Sequence, residues 1–288
     1  MFNKLIFFNA FGAGDIFESR EFVKEIMNIV PAKEYFYAHG KYSGILLDIP
    51  QLKFTKFRDE FDNRKSIINL SDNSLAWNTW IGRDSKYVLP GIGCVVEELY
   101  KMHNDILSAL GYRRLSKLSI EYIPSIDYKY YGMDKVNKFI KRAKDRVLID
   151  NGNVQSNQAY NFDFSPIIER LVTNYPEIDF IITHRINHIA KNLFTTAEII
   201  QSESSCDLNE ISYLSLFCDT IIGRNSGPFV FAQVKENWMD ETKAILSFTY
   251  TQEGSTFVLN QPVKMKKFWS PRTDPDSVYD MCRKVIER

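Results

Sequence analysis

The first fifteen residues constrain the fold most. Leu5 to Asn9 is a compact apolar run that stops at Gly12, Ala13, Gly14 and Asp15. Beyond that loop Ile16, Phe17, Phe22, Val23, Ile26, Met27 and Val30 recur at three- and four-residue steps, the spacing of one buried helix face. A strand that turns through glycines into a helix opens a Rossmann-like unit. The apolar run is too short for the core of a signal sequence or a membrane span, so a core strand is expected.

The alternation continues. Glu34 to Ala38 reads as a second strand with His39 and Gly40 just past its end, and Ser66 to Leu70 as a third, followed by the polar loop SDNS and the aromatic stretch Ala76 to Gly82. Val95 to Leu110 is an amphipathic helix closed by Gly111. Pro124 to Gly132 is polar and Tyr-rich without apolar periodicity, which places a domain boundary there and divides the chain into 1–125 and 126–288. After a basic helix, Lys135 to Lys144, the pattern restarts. Strands are expected at Arg146 to Asp150, Asp179 to Thr183 and Thr220 to Gly223, and helices at Phe164 to Tyr175, Leu208 to Phe217 and Phe229 to Val234. A last helix, Asp276 to Glu287, is available to pack back on the first half. Such alternation implies an α/β protein of two Rossmann-like halves.

The 288 residues suffice for two domains, and 44% hydrophobic residues suffice for two cores. Lys plus Arg equals Asp plus Glu at 36 each, so the total charge favours no extended nucleic-acid surface. Cys94, Cys206, Cys218 and Cys282 form no CxxC pair and read as reduced thiols of a cytoplasmic protein with no integral membrane segment.

In an open parallel sheet, ligands sit beyond the C-terminal strand ends. The loop Asn9 to Asp15 carries Gly12 and Gly14, which let a ligand approach the backbone, but Phe17 stands where a dinucleotide fingerprint needs its third glycine. Asp15 has two compatible readings there, N-cap of the first helix and general base. After the strand ending at Gly223, Arg224 supplies a guanidinium, Asn225, Ser226 and Gly227 supply donors, and Pro228 suits a first helical turn; this set fits a diphosphate. The loop Asp150 to Gln158, with Asn151, Gly152, Asn153 and Gln158, is longer and more polar than a turn requires and suits a sugar or phosphate. His184 and His188 stand four apart but lack a third ligand, so no metal is expected, and His184 with Arg185 reads as a phosphate or base contact.

Gly12-Ala13-Gly14-Asp15 at the first helix, with Ser226-Gly227-Pro228 after a late strand, resembles the heptosyltransferase-like family nine of GT-B glycosyltransferases. The resemblance implies two Rossmann-like domains facing across a cleft, Asp15 as catalytic base, and Ser226 to Pro228 as the cradle of a nucleotide diphosphate. It also implies a polar donor-side loop where Asn151 to Gln158 lies. The chain departs from the family in having Phe229 after Pro228, where His is usual, and no Lys in the polar loop.

The expected reaction is an inverting sugar transfer from a nucleotide diphosphate-sugar to an acceptor hydroxyl. It would need neither cofactor nor metal, since Asp127 and Asp134 are too scattered for a DxD pair. The acceptor is left open between a glycan, a lipid-linked glycan and a modified nucleobase. Trp77, Asn78 and Trp80 are either an acceptor platform with His39 or core packing. Lys264 to Trp269 reads as a basic rim. A nucleotide-sugar epimerase and a catalytically inactive nucleotide-binding scaffold are the rival readings.

Overall fold

The computed structural model describes residues 1–40, 42–83, 95–155, 159–200, 206–252 and 262–288. They form two compact units, one built chiefly on Met1–Tyr130 and the other chiefly on the residues from Tyr131 onward.

The first unit contains β1 (Phe2–Phe8), α1 (Ala13–Ile29), β2 (Ala32–Ala38), β3 (Leu52–Thr55), β4 (Ile67–Leu70), β5 (Ser74–Asn78) and α2 (Val95–Ala109). Its sheet runs β3-β2-β1-β5-β4. The central strand β1 is flanked on both sides by parallel neighbours, and Leu5 to Phe8 are all buried, which is why it reads as an unbroken apolar run. Ile6 and Phe8 pack with Ala38, Phe61 and Ala76 on one face. The sheet is not wholly parallel: SDNS is a tight hairpin turn, with Asn73 at φ 57°, that joins β4 to β5 antiparallel. Gly111 closes α2 at φ 74°, with its own N–H bonded to Ser108 O and that of Tyr112 to Leu107 O. The inner face of α1 includes Arg20, whose guanidinium donates to the buried Asp48 carboxylate.

The second unit contains α3 (Asp134–Phe139), β6 (Arg146–Asp150), α4 (Ser165–Asn174), β7 (Asp179–Ile182), β8 (Leu193–Thr195), α5 (Thr196–Ile199), α6 (Leu208–Ser215), β9 (Thr220–Gly223), α7 (Gly227–Phe231), α8 (Lys235–Trp238), β10 (Ala244–Phe248), β11 (Lys266–Ser270) and α9 (Pro275–Ile286). All its strands are parallel, in the order β11-β10-β9-β6-β7-β8. Alternate residues (Val147 and Ile149 of β6, Ile222 of β9, Leu246 and Phe248 of β10) meet Ile167, Ile168 and Leu171 of α4 in one core.

The buried face of α9 (Val278, Cys282, Val285) enters the core beside α4. Two readings of the sequence change here. The basic helix is short, ending at Phe139. The run Lys264 to Trp269 is mostly the strand β11, with Lys266 and Lys267 exposed and Trp269 Nε1 donating to the Thr249 carbonyl at 3.1 Å. No described helix is long and apolar enough to cross a membrane. Cys206, Cys218 and Cys282 are free thiols; Cys94 lies outside the described residues.

Candidate functional site

In each sheet the chain winds outward from its first strand and then resumes on that strand's other side. The switch falls between β1 and β5 in the first unit and between β6 and β9 in the second. Loops leaving the C-terminal ends of these strands form the crevices where such sheets bind ligands.

In the first unit that loop begins at Asn9, fully buried, whose Oδ1 accepts from the Phe11 N–H at 2.8 Å. Gly12 is the N-cap residue of α1, at φ −74°, a conformation open to any residue. Asp15 therefore is not the N-cap: it lies in the first turn and its Oδ2 accepts from the Gly12 N–H at 3.2 Å. That arrangement is one half of a capping box. Burial raises the Asp15 carboxyl from 3.8 to about 6, against the opposing pull of the Gly12 N–H. Gly14 is half-buried in the same turn. Glu18, one turn further along the same face, is pushed well up by burial and then by the like charge of Asp15.

The other first-unit candidates divide. Trp77 is fully buried, with Nε1 donating to His103 Nδ1 at 3.1 Å, so it is core and no platform. Asn78 is also structural: its Nδ2 donates to the carbonyls of Asn63 (2.8 Å) and Lys65 (3.0 Å), and its Oδ1 accepts from the Trp80 N–H at 2.9 Å. His39 Nδ1 accepts from the Tyr42 N–H at 3.1 Å, which assigns the proton to Nε2, donating to the Phe11 carbonyl at 3.0 Å. Both nitrogens are engaged, so His39 holds the loop and is not a base. Trp80 does reach the site, stacked on Phe11 with ring centroids 3.7 Å apart.

In the second unit the centre is a residue the sequence reading passed over. Asp150, at the end of β6 and fully buried, accepts from the hydroxyls of Ser226 and Thr183 (the latter at 2.8 Å) and from the N–H groups of Gly152 (3.3 Å) and Phe229 (3.2 Å). One carboxylate thus ties the loops after β6, β7 and β9. Burial raises its proton affinity, and the four donors work in the opposite direction. A carboxylate closing a buried apolar strand, RVLID, was the available signal.

Arg224 changes role most. Its side chain is fully buried, and the guanidinium donates to the carbonyls of Phe162 (2.7 Å), Asn151 (3.0 Å) and Gly152 (2.8 Å), between the rings of Phe162 and Phe164. It supports the loop and does not present its charge to a ligand. Asn151 is likewise occupied: its amide pairs with the His184 N–H (2.8 Å) and carbonyl (2.7 Å). Gly152 lies close under the His184 ring: a Cβ there would come 2.5 Å from His184 Cε1, so the exposed imidazole would have to shift. Asn153, His184 and Arg185 are exposed, whereas Asn225, Ser226, Gly227 and Pro228 are half-buried at the start of α7. His184 and His188 lie in a loop, so their spacing carries no helical meaning. Gln158 falls outside the described residues.

No protein-family model matches the chain. No curated protein sequence matches it either. Among solved structures, the ADP-heptose lps heptosyltransferase II of E. coli superposes with a TM-score of 0.55 at 9% identity, over 99% of this chain and 98% of that one. A family 9 glycosyl transferase from Veillonella parvula gives 0.54 at 9% identity, over 98% and 90%. The E. coli heptosyltransferase WaaC, solved with ADP-2-deoxy-2-fluoro heptose, gives 0.51 at 8% identity, over 99% of both chains. The fold is GT-B. Within this GT-B chain, the loop Asn9 to Asp15 and the loops tied by Asp150 leave the C-terminal ends of strands in the two sheets.

Proposed function

We propose that the chain is a glycosyltransferase that moves a sugar from a nucleoside diphosphate-sugar to an acceptor hydroxyl, inverting and without a metal. The observation that carries this reading is Asp15, a half-buried carboxyl at the first turn of α1, raised to about 6 and oriented by the Gly12 N–H. A carboxylate of that strength is ionised at neutral pH and a better proton acceptor than an ordinary one. The acceptor O–H gives its proton to Asp15 as its oxygen attacks the anomeric carbon, and the bond to the diphosphate breaks with its electrons going to the phosphate oxygen. On the donor side we assign the diphosphate to Asn225, Ser226, Gly227 and Pro228. We assign the offsetting of its charge to the exposed Arg185, in the loop after β7, with His184 as a further contact, since Arg224 is bonded inward. The named heptosyltransferases make ADP-sugars the first donors to try. Free thiols at Cys218 and Cys282 agree with a cytoplasmic reaction.

The test is incubation with ADP-, UDP-, GDP- and dTDP-sugars, read as release of the free nucleoside diphosphate. No release from any of them would end the transferase reading. Turnover should survive EDTA; activity lost to EDTA and restored by manganese or magnesium would contradict the metal-free assignment.

The pH dependence has a definite sign. Asp15 acts as the carboxylate, so kcat/KM should be level above neutrality and fall as pH drops through about 6. An acid limb centred near 4 would mean that the base is an unperturbed carboxylate and not Asp15.

A further inference from the structure

We infer that the Phe11–Trp80 stack is the acceptor-binding wall of the first unit and that it takes a saccharide by the apolar face of one pyranose ring. This deepens the transferase reading and rests on it for the identity of the reacting hydroxyl. Phe11 is 42% exposed, and it is not a loosely tolerated surface ring. Trp80 backs it at 3.7 Å with the rings 23° from parallel. Gly82 lies against the indole so closely that a Cβ would come within 2.5 Å of it. The backbone beneath is fixed by Asn9 at the Phe11 N–H, His39 at the Phe11 carbonyl and Asn78 at the Trp80 N–H. Ordering an exposed ring costs conformational entropy that burial does not repay, so a ring fixed in this way is preorganised for a ligand.

The chemistry of the loop chooses the ligand. Phe11 adjoins Gly12, whose N–H is held by Asp15, so the ring and the base belong to one loop. The loop Asn9 to Asp15 carries one carboxyl group, that of Asp15, and contains no Lys or Arg. A phosphate-bearing nucleotide would be repelled there, whereas a neutral sugar is not. A pyranose presents axial C–H groups to an aromatic face and directs its equatorial hydroxyls to the rim, where a carboxylate can take one proton.

Titration calorimetry of the full chain, without donor, against methyl β-glucoside, methyl β-galactoside, methyl α-mannoside and diacetylchitobiose tests this directly. At least one should bind, Phe11→Ala should weaken that binding roughly tenfold or more, and Phe11→Trp should retain it. Nucleoside diphosphate affinity should be unchanged in both variants. The inference is overturned if none of the four binds, if Phe11→Ala binds as well as wild type, or if Phe11→Ala weakens the nucleotide instead. Nucleotide-sugar turnover without Phe11-dependent glycoside binding would sink this inference alone. Glycoside binding without any turnover would sink the transferase reading and leave a saccharide-binding wall.

Discussion

Asp15→Asn should lower turnover by roughly two to four powers of ten while leaving nucleotide-sugar binding nearly unchanged. The substitution separates the two tasks of this residue. Asparagine keeps an oxygen that can accept from the Gly12 N–H, now 3.2 Å from Asp15 Oδ2, so α1 should start where it does and the melting temperature should hold. What disappears is the basicity, and with it the proton transfer that accompanies attack. Asp15→Ala should do the same to turnover and also cost about 1 kcal/mol of stability, because the Gly12 N–H loses its partner. Rapid-mix kinetics beside equilibrium donor binding gives both numbers. An Asn variant with wild-type turnover would make Asp15 a helix-start residue only. The base would then be sought at Glu18, one turn away, and not at His39, whose two nitrogens already serve Tyr42 and Phe11.

Arg224→Ala should destabilise the second unit by about 3–5 kcal/mol. Three charge-assisted hydrogen bonds to the carbonyls of Phe162, Asn151 and Gly152 vanish, each of a kind worth about 1.5–3 kcal/mol with incomplete additivity. The gap left between the rings of Phe162 and Phe164, which sit 5.0 and 4.9 Å from the guanidinium carbon, adds a packing loss. Urea unfolding followed by tryptophan emission and circular dichroism measures it. Lysine should rescue poorly, since one ammonium cannot match a planar fork facing three carbonyls. An Ala variant that melts like wild type and yet loses nucleotide affinity would return Arg224 to direct phosphate contact.

The architecture was legible because parallel strands buried on both faces announce themselves as apolar runs: LIFF, RVLID and TIIG all became central strands. The strands not expected from the sequence are β3, β5, β8, β10 and β11, and two of them were disguised by their side chains. β5 was masked by its tryptophan and asparagine, residues that look like a binding surface until Trp77 turns inward to His103. β11 was masked by its lysines. The loops were located correctly, yet the inventory of side chains misled. Arg224, Asn151 and His39 have the right chemistry to meet a ligand, and all three are bonded to the backbone of a neighbouring loop. Polar density in a loop reports hydrogen-bonding demand, and a loop's own carbonyls and amides make that demand as readily as a substrate does. Asp150 was missed for the converse reason, since it reads as the polar end of a strand and only the fold brings Thr183, Ser226 and Phe229 to it.

Among the described residues, the second sheet ends on β11, paired with β10 alone. Its outer rim therefore offers N–H and C=O groups to any extended segment that drifts alongside, including the same strand of another molecule. Lys266 and Lys267 are consecutive, so the pleat sends one to each face, and both are exposed. An incoming β11 would have to set ammonium against ammonium on both sides of the ribbon at once. The two lysines act as a guard against open-ended polymerisation at that edge, keeping the sheet six strands wide.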